Sequence, residues 1–347
     1  MKKNVFVLGV ILLLTACASS TSTQPEQTAQ RAQPAQPAEQ KTELEFQQAI
    51  IEEPNTGPWT TVRNSTFGNN EFINSIIWAG TSFYAVGSNG KVAYSTNGRN
   101  WTGGTIGNVI INDIAWSGNN FVAVGGSGSM SYSRDGRTWN RVENTTFPTM
   151  TRAFWISCIV WGNDRFVAGG NGGELAYSAN GQTWRQVAES HNSLFSFIND
   201  IAWNGNKYIA VGSRGQIAYS TNGETWTAVA DSTFGNTGDD SISCIVWNGS
   251  IFVAGSWNGK AAISSDGEKW TAVADSTFGN SPIYDIAWGA GKFVAVGRKG
   301  KIAYSTDGQT WTAESSSPFG DSDIRGIAWN GSVFVAVGYN GKIAYSN

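Results

Sequence analysis

The chain has 347 residues, 14% of them charged and 12% aromatic, with 16 tryptophans, 42 glycines and a formal net charge of −3. So weak an acidic balance, without any basic run, lacks the electrostatic footprint that nucleic acid requires, and that class of partner is excluded. Three cysteines and a single histidine supply neither a disulfide framework nor ligands at metal-binding spacing.

At the N-terminus, Met1 to Asn4 with its two lysines precedes the apolar run Val5 to Leu14. Residues 1–16 therefore read as a signal peptide, too short for a membrane span. The run ends in Leu14-Thr15-Ala16-Cys17, which resembles the lipobox of bacterial lipoproteins. That resemblance implies cleavage before Cys17 and lipidation of Cys17. Ala18, where an acidic residue would retain the protein at the inner membrane, implies the outer membrane of the bacterial cell envelope. Loss of Lys2 and Lys3 moves the net charge from −3 to −5. Residues 17–57, rich in Gln, Ala, Pro, Thr and Glu, have the composition of a disordered tether, with a mean reach of roughly 35 Å.

Residues 58–347 form the folded domain. Here fourteen of the sixteen tryptophans keep a period. Seven close a segment of the type Ile-x-Asp-Ile-Ala-Trp (Trp78, Trp116, Trp161, Trp203, Trp247, Trp288, Trp329). Seven open a segment of the type Trp-Thr-x-Val (Trp59, Trp101, Trp139, Trp184, Trp226, Trp270, Trp311), and these recur at intervals of 42, 38, 45, 42, 44 and 41 residues. Self-similarity at this period marks a repeat architecture. Within one unit, Ile283 to Trp288, Phe293 to Gly297, Lys301 to Ser305 and Thr310 to Thr312 are short β-branched and aromatic runs between turn residues. They predict four antiparallel strands, here named a to d. Asn-Gly or Asp-Gly closes the c–d link six times, from Asn97-Gly98 to Asp307-Gly308, as a tight hairpin requires. No stretch after residue 57 has a helical period.

Four strands per unit predict an all-β, seven-bladed β-propeller. The last unit has strands a, b and c but no d, while Trp59 to Val62 is a strand d with nothing before it. The N-terminal strand is thus expected to close the last blade. In such a ring the tryptophans fill the space between blades.

Few residues carry chemistry. His191 lies in a polar d–a loop and reads as solvated. The third position of strand a is Ser75, Asp113, Cys158, Asp200, Cys244, Asp285 and Gly326 in turn. Three carboxylates facing the channel could do acid–base work or hold a cation. Spread over blades two, four and six, they are expected instead to accept backbone hydrogen bonds from neighbouring blades. Cys158 and Cys244, two blades apart at ~10 Å per sheet, exceed disulfide reach and should be free, buried thiols. No cofactor, metal or catalytic residue is expected.

The hairpins Ser220 to Trp226 and Ser305 to Trp311 look like the Asp-box of the BNR repeat of sialidase-type propellers, one residue shorter between the acid and the glycine. The resemblance implies a structural fastening on the face opposite an active site. The Arg-Ile-Pro element of sialidases is absent. The seven-repeat layout, with Val-Gly-x-x-Gly-Lys-Ile followed by Ser-Thr-Asp-Gly-x-Thr-Trp, is also similar to photosystem II assembly-factor propellers, which implies a non-enzymatic scaffold.

Loops d–a and b–c share one face, and variation collects there. The b–c tips of the last four blades gather cations and aromatics, and Trp257 is one of only two tryptophans off the period. The expected partner-binding patch is Arg214, Trp257, Tyr284, Arg298, Lys299, Arg325 and Tyr339, residue types that anchor interfaces. The other off-period tryptophan, Trp155, follows the long loop Asn144 to Phe154, expected as a lip over the channel. The resulting reading is a lipid-anchored monomer that touches the membrane through its anchor alone and holds an envelope protein or protein complex. The alternative is a propeller that binds or cleaves glycan through the same face.

Overall fold

The computed structural model describes residues 59–147, 154–188 and 194–346. The readings for the signal peptide, Cys17, the tether and His191 lie outside those residues, as does much of the loop before Trp155. The described chain forms seven four-stranded antiparallel sheets. Blade 1 consists of Ile73–Trp78, Phe83–Gly87, Lys91–Ser95 and Thr102–Thr105, and blades 2 to 6 repeat that order. Blade 7 takes Ile324–Trp329, Phe334–Gly338 and Ile343–Ser346 from the end of the chain and Trp59–Thr61 from its beginning. Trp59 pairs with Ser346, Thr60 with Tyr345 and Thr61 with Ala344. The seven-bladed propeller with its borrowed closing strand is as the repeats predict. Among the described residues the other regular structure is five short 3₁₀ turns.

The repeat pattern explains the packing. Strand b is buried from its aromatic onward in every blade, with only Arg165 and Lys292 half-buried at its start in blades 3 and 6, so it reads as an unbroken apolar run such as Phe121-Val-Ala-Val-Gly125. Its central alanine, for example Ala85, Ala210 or Ala336, has no exposed surface and lets adjacent sheets approach. The tryptophan that ends strand a lies against the aromatic that opens strand b, with ring centroids 4.8 Å apart for Trp78 and Phe83 and 4.4 Å for Trp203 and Tyr208. Trp59 is buried, and its indole N–H donates to the Tyr304 hydroxyl of blade 6 at 2.6 Å. Burying one indole stabilises the ring by up to about 4–6 kcal/mol. Closure therefore rests on a three-residue strand with an aromatic anchor.

Six c–d hairpins share one fastening. In blade 2 the Ser133 hydroxyl accepts the Gly136 N–H at 2.9 Å, and Asp135 accepts those of Arg137 and Thr138 at 2.8 and 2.7 Å. The Trp139 indole then donates to the Gly136 carbonyl at 3.2 Å. Asn97, Asn180 and Asn222 do the same work in blades 1, 3 and 4. The glycine is obligatory at these sites: Gly98 has φ +74°, and a Cβ there would come within 2.6 Å of Val335. Backbone N–H groups from Thr310 and Gln309 hold the Asp307 carboxyl at about 2, and similar bonds depress Asp135 and Asp266.

Candidate binding site at the mouth of the central channel

Strand a is innermost in each blade, and in all seven its pairing to strand b shifts between its first and third residues. Such a bulge breaks the alternation of side chains and re-aims them. The third residue consequently serves the neighbouring blade. Asp113 accepts the N–H of Ile159 at 2.9 Å, Asp200 that of Ile245 at 2.9 Å, and Asp285 that of Ile327 at 2.8 Å. Ser75 donates to the other oxygen of Asp113 at 2.6 Å. The acids of blades 2, 4 and 6 fasten one inner strand to the next, the hydrogen-bonding role expected of them. Cys158 and Cys244 are buried and in no disulfide, and burial, reinforced by Asp200 and Asp113, pushes the Cys158 thiol up.

The second residue of strand a faces the channel mouth on the d–a and b–c side. The carboxamides of Asn74, Asn112 and Asn199 donate to the carbonyls of Ile111, Ile156 and Ile242 in the following blades at 2.9, 2.9 and 2.7 Å. Ser243 likewise donates to Ile283. With Ser157, Tyr284 and Arg325 they line a cavity of about 270 Å³, whose lip is formed by Trp155, Phe197 and Trp257. A smaller recess is walled by Ile77, Trp78, Ile114, Trp116, Ile159 and Asp200, among others.

Around blades 5, 6, 7 and 1 the lip becomes a continuous stack. The Trp257 ring meets Tyr284 edge-on at 5.5 Å. The Arg325 guanidinium lies 4.0 Å from the centroid of Tyr284 and 4.5 Å from that of Tyr339, a cation between two aromatic faces. Tyr339 in turn meets Phe72 at 4.5 Å. Asp323 stitches the stack from outside: it accepts the Tyr284 hydroxyl at 3.1 Å and the Lys299 N–H at 3.0 Å, and lies 3.7 Å from Arg325. Burial pushes Tyr284 up to about 12, so its hydroxyl keeps its proton. Phe72 and Trp257, 39% and 42% exposed, are the exposed large apolar side chains among the described residues, and they stand at the two ends of the stack.

Local sequence explains the outward tryptophan. In six blades the residue before the b–c turn is glycine, because a Cβ would strike a carbonyl: at Gly87 it would lie 1.9 Å from the oxygen of Phe72. Blade 5 has Ser256 there, whose hydroxyl instead donates to Asn258 and to the Lys260 carbonyl at 2.7 and 2.9 Å. Trp257 follows it at the exposed tip.

The structure thus gathers Trp257, Tyr284, Arg325 and Tyr339 into one stack, with the Lys299 backbone tied to it through Asp323. Arg214 and Arg298 are exposed at b–c tips, and their side chains take no part in these stacking or hydrogen-bonding contacts. Trp155 lines the cavity, with its ring about the Gly126 backbone. Phe72, Phe197 and Asp323 were not legible as site residues, although a signal existed. Trp155 and these three all occupy the position just before strand a, where the aligned repeats vary most in chemistry.

The family model of the DUF6242 beta propeller domain matches residues 38–158. Among solved structures, YCF48 from Cyanidioschyzon merolae aligns with a TM-score of 0.66 at 19% identity, covering 84% of this chain and 98% of that one. In fold the chain is similar to YCF48. A second YCF48 structure, bound to D1 peptide, gives 0.64 at 19% identity over 84% of this chain and 96% of that one. The WD40 propeller domain of Doa1 gives 0.63 at 12% over 83% and 95%. At such identities the likeness concerns fold alone. No curated protein matches the chain.

Proposed function

We propose that the protein is a lipid-anchored scaffold of the bacterial envelope that holds a protein partner on the channel-mouth face of its propeller. The observation that carries this reading is the stack from Trp257 through Tyr284, Arg325 and Tyr339 to Phe72. Aromatic and arginine side chains are the usual anchors of interfaces, and exposed apolar side chains flanking a cationic centre suit a protein surface better than solvent. A propeller of similar fold is bound to a peptide, in YCF48 with D1 peptide, which lends precedent to protein recognition by this architecture. The hairpins belong in this reading to a shortened Asp-box of BNR type with a structural role. The protein acts as a monomer held by Cys17 at the outer membrane.

In-cell crosslinking of the full-length protein, wild type against a Phe72→Ala/Trp257→Ala variant, tests the partner. One protein enriched by the wild type and lost by the variant supports the scaffold. Equal recovery by both forms overturns the face, and enrichment of envelope polysaccharide alone moves the function to glycan binding. Incorporation of a palmitate analogue that disappears in Cys17→Ala tests the anchor separately.

A further inference from the structure

The channel wall beneath the stack has a different chemistry. Each of Asn74, Asn112 and Asn199 commits one of its two amide N–H groups to the next blade's carbonyl, which fixes the orientation of the carboxamide. Its oxygen and its second N–H remain on a residue that lines the cavity. The Ser243 hydroxyl faces the carbonyls of Ile283 and Gly255, so what it has to offer a ligand is lone pairs. Four blades therefore present oriented acceptors, together with the second amide N–H groups, to one cavity. The Ser157 hydroxyl and Arg325 Nε of the same lining are buried without a hydrogen-bond partner among the described residues.

Charge narrows the ligand further. A carboxylate or phosphate, with no proton to donate, would leave these oxygens unmatched. A cation would meet the guanidinium of Arg325 on the same wall, itself balanced by Asp323 at 3.7 Å. A neutral molecule rich in O–H donors meets neither obstacle. The lip supplies the complement: Trp155, Phe197 and Trp257 give apolar faces suited to the C–H surface of a sugar ring. A cavity of about 270 Å³ is of the size that takes small ligands rather than a chain in passage.

We infer that the channel mouth is a binding site for a neutral saccharide of one or two rings, recognised by the Asn74, Asn112 and Asn199 oxygens and the aromatic lip. This site adjoins the protein-binding stack and shares Trp257, Tyr284 and Arg325 with it. The acceptors belong to blades 1, 2, 4 and 5, whereas the charged centre of the stack belongs to blades 6 and 7.

The test uses the full-length protein in detergent with maltose, cellobiose, chitobiose and mannobiose, plus N-acetylneuraminic acid and glucosamine as anionic and cationic controls. Saturation-transfer NMR and calorimetry give the affinities. At least one neutral disaccharide should bind, more tightly than either control. The Asn112→Ser/Asn199→Ser variant should lose about tenfold or more in affinity at an unchanged melting temperature, because Ser157 and Ser243 already occupy that position in blades 3 and 5. Trp257→Ala, which alters an exposed tip, should also weaken binding. Absence of binding by every neutral sugar, preference for a charged one, or full affinity in the asparagine variant overturns the proposal. Partner capture retained by the asparagine variant keeps this outcome distinct from that of the scaffold.

Discussion

The two faces of the propeller follow opposite rules. On the c–d face, six hairpins repeat one hydrogen-bond scheme, with Ser, Asn or Asp, Gly and Trp in fixed roles. On the b–c face five tips share a left-handed residue, at Asn89, Ser127, Arg214, Lys299 and Asn340, but the tips differ in side chain, from Asn89 and Ser127 to Arg214, Trp257 and Tyr339. Where the backbone needs a side chain for its own hydrogen bonds, the sequence repeats. Where the backbone satisfies itself, the side chain is available for something else.

The strongest strain on that division falls on the structural side. Trp59→Ala should destabilise the ring by about 3–5 kcal/mol, since it removes a buried indole from the closing strand along with its bond to Tyr304. Chemical denaturation measures the loss, and a value near zero would mean that closure does not depend on the N-terminal strand. Asp285→Ala comes next, at about 2–4 kcal/mol, because it strands the buried N–H groups of Ile286 and Ile327. The same substitution would be mild if the acids had a chemical rather than a fastening role.

A smaller effect separates the hairpins from one another. Asp307, held at about 2 against about 3.9 in an unfolded chain, contributes stability that is present above the unfolded value and is lost as pH falls from about 4 through 2. The depressed Asp135 and Asp266 act in the same sense. Replacing all three by Asn, the residue that blades 1, 3 and 4 already use, should flatten melting temperature against pH in that window. Least of all, Trp257→Ala should change stability by under about 0.5 kcal/mol while weakening partner capture. A large drop in melting temperature would return Trp257 to the structural side.

The fold was legible because each blade repeats its turns, its unbroken apolar strand b and its two tryptophans. The fastening role of Asp113, Asp200 and Asp285 could be argued from their even spacing around the ring. The site was harder to read. Tyr284, Arg325, Trp257 and Tyr339 stood out by residue type, but their contact depends on a bulge that sends neighbouring residues of strand a in different directions. Asn74, Asn112 and Asn199 look like ordinary strand polar residues until the bulge turns them to the channel. Phe72 and Asp323 act from outside the strand altogether, and in sequence they belong to loops.

The inner ring also bears on parity. Acid and small residue alternate at its third position from Asp113 to Gly326, so that blades 2 and 3, 4 and 5, and 6 and 7 form couples, each acid reaching into the next blade. Two couples are nearly copies: Ile111-Asn-Asp-Ile-Ala-Trp116 recurs as Ile198 to Trp203, and Ile156-Ser-Cys-Ile-Val-Trp161 as Ile242 to Trp247. Strict alternation cannot close on an odd cycle. Blade 1 is left unmatched, with Ser75 joining Asp113 on one side and Gly326 close against the Ile76 backbone on the other. A chain that grew by doubling two-blade units would carry its odd member at this seam, beside the blade that the first strand completes.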